Sequence, residues 1–204
     1  FLVYFFYKKA ILLNMNLESY IRVYDNFLPL ENVSSLIKWS LTQSFSDAGI
    51  GSENTVDKNI RDVGSMCLID FDNKSKTKTH WANYLGFLFQ KKFNEYNGEV
   101  APFAGTSISA ISAINLLKYD EGCHYKEHVD NFTANPRILS SILFLNDDYE
   151  GGELEFFEPT KKELIAKIEP QSSRLIIWPS DFLYVHKVNP VKKGKRFTVV
   201  SWAS

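Results

Sequence analysis

With 45% hydrophobic and 15% aromatic residues over 204 positions, the chain is long and apolar enough to bury one sizeable core, which excludes a disordered or low-complexity protein. Its 23 basic and 24 acidic residues leave a net charge of −1, with no general attraction to nucleic acid or to an anionic membrane. The only cysteines, Cys67 and Cys123, are too few for a disulfide framework or a cysteine-cluster zinc site, and they read as reduced thiols of a cytoplasmic protein.

Phe1–Asn14 is apolar but broken by Lys8-Lys9, too short to span a bilayer, and lacks a small-residue cleavage site. Residues 1–14 are therefore expected to be upstream or added sequence, or a disordered segment, and residues 15–204 to form one domain. After a short apolar segment, Tyr20–Phe27, a helix is predicted over residues 31–43. Residues 45–62 are polar and glycine-containing, and are read as a mobile loop and candidate substrate lid. A second helix is predicted over 78–96, where Trp81, Leu85, Leu88, Phe89 and Phe93 recur at helical spacing.

From residue 107 the pattern changes to short β-compatible runs at 107–119, 138–146, 152–158, 173–179, 182–188 and 196–202, separated by turn residues. Strands after a helical start point to a sandwich or barrel braced by N-terminal helices, of which a jelly roll is one form.

Within this region, His128 and Asp130 stand at i and i+2, so on extended chain both side chains point to one side. His186 follows 56 residues after Asp130, and Arg196 ten residues later. Two imidazoles and a carboxylate can occupy one face of an octahedral ferrous ion and leave its other positions open. A guanidinium nearby can grip a carboxylate bidentately. A competing pattern is His124-x-x-Glu127-His128, the inverted zinc-peptidase spacing, which requires a helix and leaves Asp130, His186 and Arg196 without a role.

Tyr119, Gly122, Tyr125, His128 and Asp130, in the order Tyr-x-x-Gly-x-x-Tyr-x-x-His-x-Asp, resemble the entry segment of prolyl 4-hydroxylase-type 2-oxoglutarate/iron(II) dioxygenases. The likeness continues through Leu143–Asn146, Gly151–Phe156, Ile168–Pro170, Arg174–Trp178 and the closing run from His186 through Pro190, Gly194 and Arg196 to Trp202. The resemblance implies a mainly β (α+β) fold, a double-stranded β-helix (jelly roll, cupin-like) with N-terminal supporting helices and its core over about residues 107–204. It implies His128, Asp130 and His186 as iron ligands. Arg196 would hold the distal carboxylate of 2-oxoglutarate, with Tyr119, Thr198 and Trp202 beside it. Lys195 competes with Arg196, but strand alternation allows only one of them to face the pocket. Some relatives carry Tyr where this chain has Phe144, so one hydroxyl contact to that carboxylate is expected to be missing.

Fe(II), 2-oxoglutarate and O2 follow as cofactor and co-substrates, with ascorbate a further candidate. The implied activity is hydroxylation of a prolyl residue in a protein or peptide, with succinate and CO2 as co-products. Hydroxylation of a free amino acid or other small molecule, a non-catalytic jelly-roll binding module, and a zinc peptidase through His124, Glu127 and His128 stay open as alternatives. No nucleic-acid or membrane partner is expected.

Overall fold

The computed structural model describes residues 16–51, 53–70, 74–100, 108, 110–131 and 136–204; the expectation for Phe1–Asn14 lies outside them. A single 3-10 turn (Leu17–Tyr20) leads into strand β1 (Arg22–Tyr24) and helix α1 (Leu30–Ser40). Pro29 precedes the first helical residue, where a missing N–H costs nothing, and Val33, Leu36 and Ser40 form the buried stripe. The helix ends three residues before the predicted boundary because Thr42 and Gln43 donate to Trp39 and Ser40, three residues back, which tightens the last turn out of α-geometry.

Helix α2 (Lys76–Val100) runs longer than predicted at both ends. The Ser75 hydroxyl accepts from the Lys78 amide at 3.3 Å and so caps the extra first turn. Trp81, Leu85, Phe89, Phe93 and Tyr96 repeat every three or four residues and all lie buried on one face.

The remaining strands are β2 (Ser46–Asp47), β3 (Arg61–Asp62), β4 (Gly64–Cys67), β5 (Ile111–Tyr119), β6 (His124–His128), β7 (Leu139–Phe144) and β8 (Glu150–Gly151). They continue as β9 (Leu154–Phe157), β10 (Leu164–Ile168), β11 (Leu175–Pro179), β12 (Val185–Val188), β13 (Val191–Lys193) and β14 (Arg196–Ala203). A seven-stranded sheet has the order β1-β11-β7-β14-β5-β4-β2, a five-stranded sheet the order β10-β9-β12-β6-β3, and β13 pairs with β8 at one end. Every pairing among the described residues is antiparallel, and from β5 to β9 and again from β10 to β14 successive strands lie in different sheets, the jelly-roll arrangement expected from the sequence.

Alternation along the central strands separates two cores. Phe197, Val199 and Ala203 of β14 pack with Trp81, Leu85 and Phe89 of α2 on the outer face of the large sheet. Val200 and Trp202 of the same strand pack between the sheets with Phe144, Phe156 and Trp178. β14 is buried along its whole length, so its inward Arg196 and Thr198 sit in a place where polar groups need partners.

The 45–62 segment differs from the expected single loop. Ser46–Asp47 pairs with β4, Ile50 bridges Thr55, and Arg61–Asp62 pairs with β6, so the segment ties an edge of each sheet. Two-residue strands carry too little alternation to be read from sequence. Among the described residues no helix is long and apolar enough to cross a membrane.

Candidate metal centre

Strands β6 and β12 are neighbours in the small sheet, and their register sets His128 directly opposite His186. Asp130 follows two residues after the end of β6 and turns inward. His128 Nε2 lies 3.8 Å from Asp130 Oδ1, and His186 Nε2 lies 3.6 Å from Asp130 Oδ2. One ligand atom from each of the three residues lies within 4.8 Å of the other two. The set can accept an ion on one side and leave the other side to the cavity.

The tautomers are settled by the backbone. His128 Nδ1 is 2.8 Å from the Lys126 carbonyl and His186 Nδ1 is 3.0 Å from the Tyr184 carbonyl. A carbonyl only accepts, so each Nδ1 carries the proton and each Nε2 presents a lone pair toward Asp130. Burial, and then the neighbouring His186, hold His128 well below the ordinary histidine range, so it is a neutral ligand. Burial works to raise the Asp130 carboxyl. The two imidazoles, the Ser140 hydroxyl and Arg137 outweigh that and keep it ionised. Two imidazoles that present Nε2 and a carboxylate form the donor set that suits a divalent first-row metal with open positions.

Aromatic packing fixes the rings. Tyr125 stacks on His128 at 3.5 Å between centroids, and Phe156 and Trp178 flank His186 at 5.6 and 5.0 Å. Tyr119 and Trp202, both picked out in the sequence, line the cavity over the triad. Its free space is about 30 Å³, room for a water-sized molecule, so a five-carbon dicarboxylate enters only as lining side chains shift.

Arg196 and Thr198 lie behind Tyr119. The Arg196 guanidinium is fully buried, 4.6 Å from the Tyr119 ring and 5.1 Å from the Phe144 ring. Its Nη1 donates weakly to Thr198 Oγ1 at 3.4 Å, while Nε and Nη2 have no hydrogen-bond partner. Lys195 points outward and pairs with Asp120 at 3.3 Å, as strand alternation predicts for the competing cation.

Several residues at the site escaped the sequence reading. A second cavity shares Arg61, Tyr125, Asp130 and Trp202 with the first, and opens past Gly49, Asn54 and Arg137. Arg137 stacks 3.9 Å over the Trp202 ring and donates to the Asp130 carbonyl at 3.2 Å. Arg61 lies 4.6 Å over Tyr125. Neither arginine has a motif around it; the pairing of β3 with β6 brings Arg61 to the metal side, and the hydrogen bond to the Asp130 carbonyl holds Arg137 there. Tyr149 is a further omission, a largely buried side chain whose hydroxyl has no partner.

The zinc-peptidase alternative fails on geometry. Residues 124–128 form a strand, not a helix, and the His124 ring faces the carbonyls of Gly122 and Asn59 at 3.2 and 3.4 Å. Glu127 is exposed beside Lys187, and His124 is not part of the ligand cluster.

Residues 114–204 match the model of the 2OG-Fe(II) oxygenase superfamily. The chain is 42% identical over 66 residues to prolyl 3-hydroxylase 2 of Homo sapiens, covering 32% of this chain and 9% of that protein. It is 35% identical over 99 residues to a PKHD-type hydroxylase of Crocosphaera subtropica, covering 45% of this chain and 42% of that protein. The match therefore spans less than half the length of either relative.

Among solved structures, a Trichoplax adhaerens prolyl hydroxylase in complex with a hypoxia-inducible-factor peptide fragment superposes with a TM-score of 0.73 at 20% identity, over 94% of this chain and 84% of that one. A Pseudomonas putida prolyl-4-hydroxylase superposes with a TM-score of 0.65 at 18% identity, over 90% and 92% of the two chains. At those identities the likeness speaks for the fold, while the metal-side motifs lie inside the family match. Residues 114–204, which hold His128, Asp130, His186 and Arg196, are thus similar to the 2OG-Fe(II) oxygenase superfamily, and the His128, Asp130 and His186 cluster fits an Fe(II) site.

Proposed function

We propose that the chain hydroxylates a prolyl residue of a protein or peptide, with His128, Asp130 and His186 holding Fe(II) and Arg196 anchoring the distal carboxylate of 2-oxoglutarate. One observation carries the reading: a ligand triad with its tautomers already set lies in the same inter-sheet space as a fully buried guanidinium with two unpartnered nitrogens. An uncompensated buried charge is costly, and a dicarboxylate whose other end reaches the metal supplies the missing partner. The prolyl substrate is supported by the relatives and structural neighbours, several of which are prolyl hydroxylases, one bound to a peptide.

Bound iron and dioxygen would supply the oxidising power that converts 2-oxoglutarate to succinate and CO2 while a substrate C–H becomes C–OH. The chain supplies position and exclusion of water. The Lys126 and Tyr184 carbonyls keep both imidazoles aimed, and the Ser140 hydroxyl, bonded to Ser180 Oγ at 2.7 Å, helps to hold the Asp130 carboxyl ionised. Phe156 and Trp178 keep water from His186. Tyr119 and Phe144 sandwich the Arg196 guanidinium and fix its plane. Trp202, stacked under Arg137, forms a wall between the metal and the second cavity, where substrate would enter.

A second reading, hydroxylation of a free amino acid, is favoured by that same entrance, where Arg61 and Arg137 suit a substrate carboxylate close to the metal. Purified protein with Fe(II), 2-oxoglutarate and oxygen is to be tested against proline-containing peptides and against free amino acids, with succinate and product mass read from the same reaction. Peptide-dependent succinate with one oxygen added to a prolyl residue is the expected result. Succinate stimulated only by a free amino acid replaces the peptide reading. No succinate from folded, iron-loaded protein removes the hydroxylase reading altogether.

A further inference from the structure

Phe144 faces Arg196 but has no hydroxyl, so the position from which a phenol would join the guanidinium offers only an apolar ring. A different phenol lies nearby. Tyr149 precedes β8, and Gly152, with φ +64°, brings the chain back against it. A Cβ on Gly152 would stand 3.0 Å from Arg196 Cδ and 3.2 Å from Tyr149 Cε2, so both side chains border the space that this glycine leaves empty. Gly194 does the same on the other flank, where a Cβ would lie 3.3 Å from Tyr149 Cβ.

The Tyr149 hydroxyl, Arg196 Nε and Arg196 Nη2 are all buried and all without a hydrogen-bond partner among the described residues. A guanidinium has no lone pair to offer, so it cannot accept the proton of the phenol. Burial raises the Tyr149 pKa and the Arg196 charge only partly opposes it, so the phenol keeps its proton at neutral pH. The phenol oxygen can accept one hydrogen from the guanidinium, but the hydrogen of the phenol and the other hydrogens on Nε and Nη2 then have no acceptor. Thr198 Oγ1 occupies the one remaining nitrogen, Nη1, and does not fill the gap.

We propose that Tyr149 is a specificity-determining residue: its hydroxyl donates to the distal carboxylate of 2-oxoglutarate beside Arg196, supplying from the β7–β8 connection the contact that Phe144 cannot make. This deepens the proposed function and rests on it. A hydrogen bond to a charged group in such a dry place is worth about ten- to a hundredfold in affinity.

The test is equilibrium binding, without oxygen, to manganese-loaded protein. The probes are 2-oxoglutarate and 2-oxopentanoate, which has the same chelating end and chain length but no distal carboxylate. The expected result is that Tyr149→Phe weakens 2-oxoglutarate about tenfold or more and leaves 2-oxopentanoate unchanged. Adding Phe144→Tyr to that variant recovers much of the loss. A folded Tyr149→Phe protein that binds 2-oxoglutarate like the wild type overturns the role of Tyr149 alone, as does equal weakening of both ligands. Wild-type protein that does not prefer 2-oxoglutarate over 2-oxopentanoate overturns the carboxylate anchor itself, and this inference with it.

Discussion

At the scale of single residues, Arg196 is the feature least explained by folding. A guanidinium with no exposure, held between two aromatic rings, lowers the stability of the empty protein. Replacing it with a flexible apolar side chain of similar length should therefore cost the empty protein nothing. Arg196→Met is expected to unfold at the same denaturant concentration as the wild type or a higher one. With manganese present and 2-oxoglutarate at a hundred times its Kd, wild-type stability should rise by about 2.7 kcal/mol, and the variant should lose nearly all of that gain. A variant that is strongly destabilised when empty would instead make Arg196 a structural residue.

The candidate metal cluster was legible because its spacing carries chemistry: His128 and Asp130 share a side by strand alternation, the same rule lets only one of Lys195 and Arg196 face inward, and position relative to His186 favours Arg196. Arg61, Arg137 and Tyr149 were not legible. Each reaches the site through strand pairing or through side-chain contacts with other segments, and no local pattern records that.

At the scale of elements, the edge of the large sheet is a short strand, β1, that pairs with β11 over three residues and is joined to it further by an ion pair. Arg174 Nε and Nη2 meet Asp25 Oδ1 and Oδ2 at 2.7 and 3.1 Å, joining the end of β1 to the start of β11. The hydrogen bond from Arg174 holds the Asp25 carboxyl below its ordinary value of 3.8. A carboxyl whose folded pKa is depressed contributes stability above its unfolded pKa, and loses it as pH falls through the folded value. Because the pair is largely exposed, Asp25→Asn should cost no more than about 1 kcal/mol at pH 7. Urea unfolding at pH 7 and at successively lower pH should show that difference shrinking below pH 3.8. A difference that persists at the acid end would mean the amide harms packing rather than charge.

Helix existence was readable from the spacing of Trp81, Leu85, Phe89 and Phe93, while helix ends were not. A cap at Ser75 and a tightened last turn after Ser40 depend on one and two hydrogen bonds respectively. The 45–62 segment looked like a loop because its pairing partners, β4 and β6, lie elsewhere in the chain.

At the scale of the whole molecule, one sheet separates two cores with different tasks. The outer core, between α2 and the large sheet, stabilises; the inner core, between the sheets, carries the site. Phe89 lies in the outer core with no exposure, so Phe89→Ala should destabilise by about 3–5 kcal/mol through lost burial and the cavity left behind. The affinity of the folded variant for manganese and 2-oxoglutarate should be unchanged, as read by calorimetry below its unfolding transition. A parallel loss of affinity would show that the cores are coupled through the sheet. The jelly roll itself was legible from strand count and order after residue 107, and from motifs that appear in register over that region.

The most direct test of the account is a crystal structure of the protein grown without oxygen, with Fe(II) and 2-oxoglutarate. The account predicts one iron held by His128 Nε2, Asp130 and His186 Nε2, with the ketoacid end of 2-oxoglutarate on the metal and its far carboxylate on Arg196. Iron bound elsewhere, or a far carboxylate directed away from Arg196 toward Arg61 and Arg137, would contradict it.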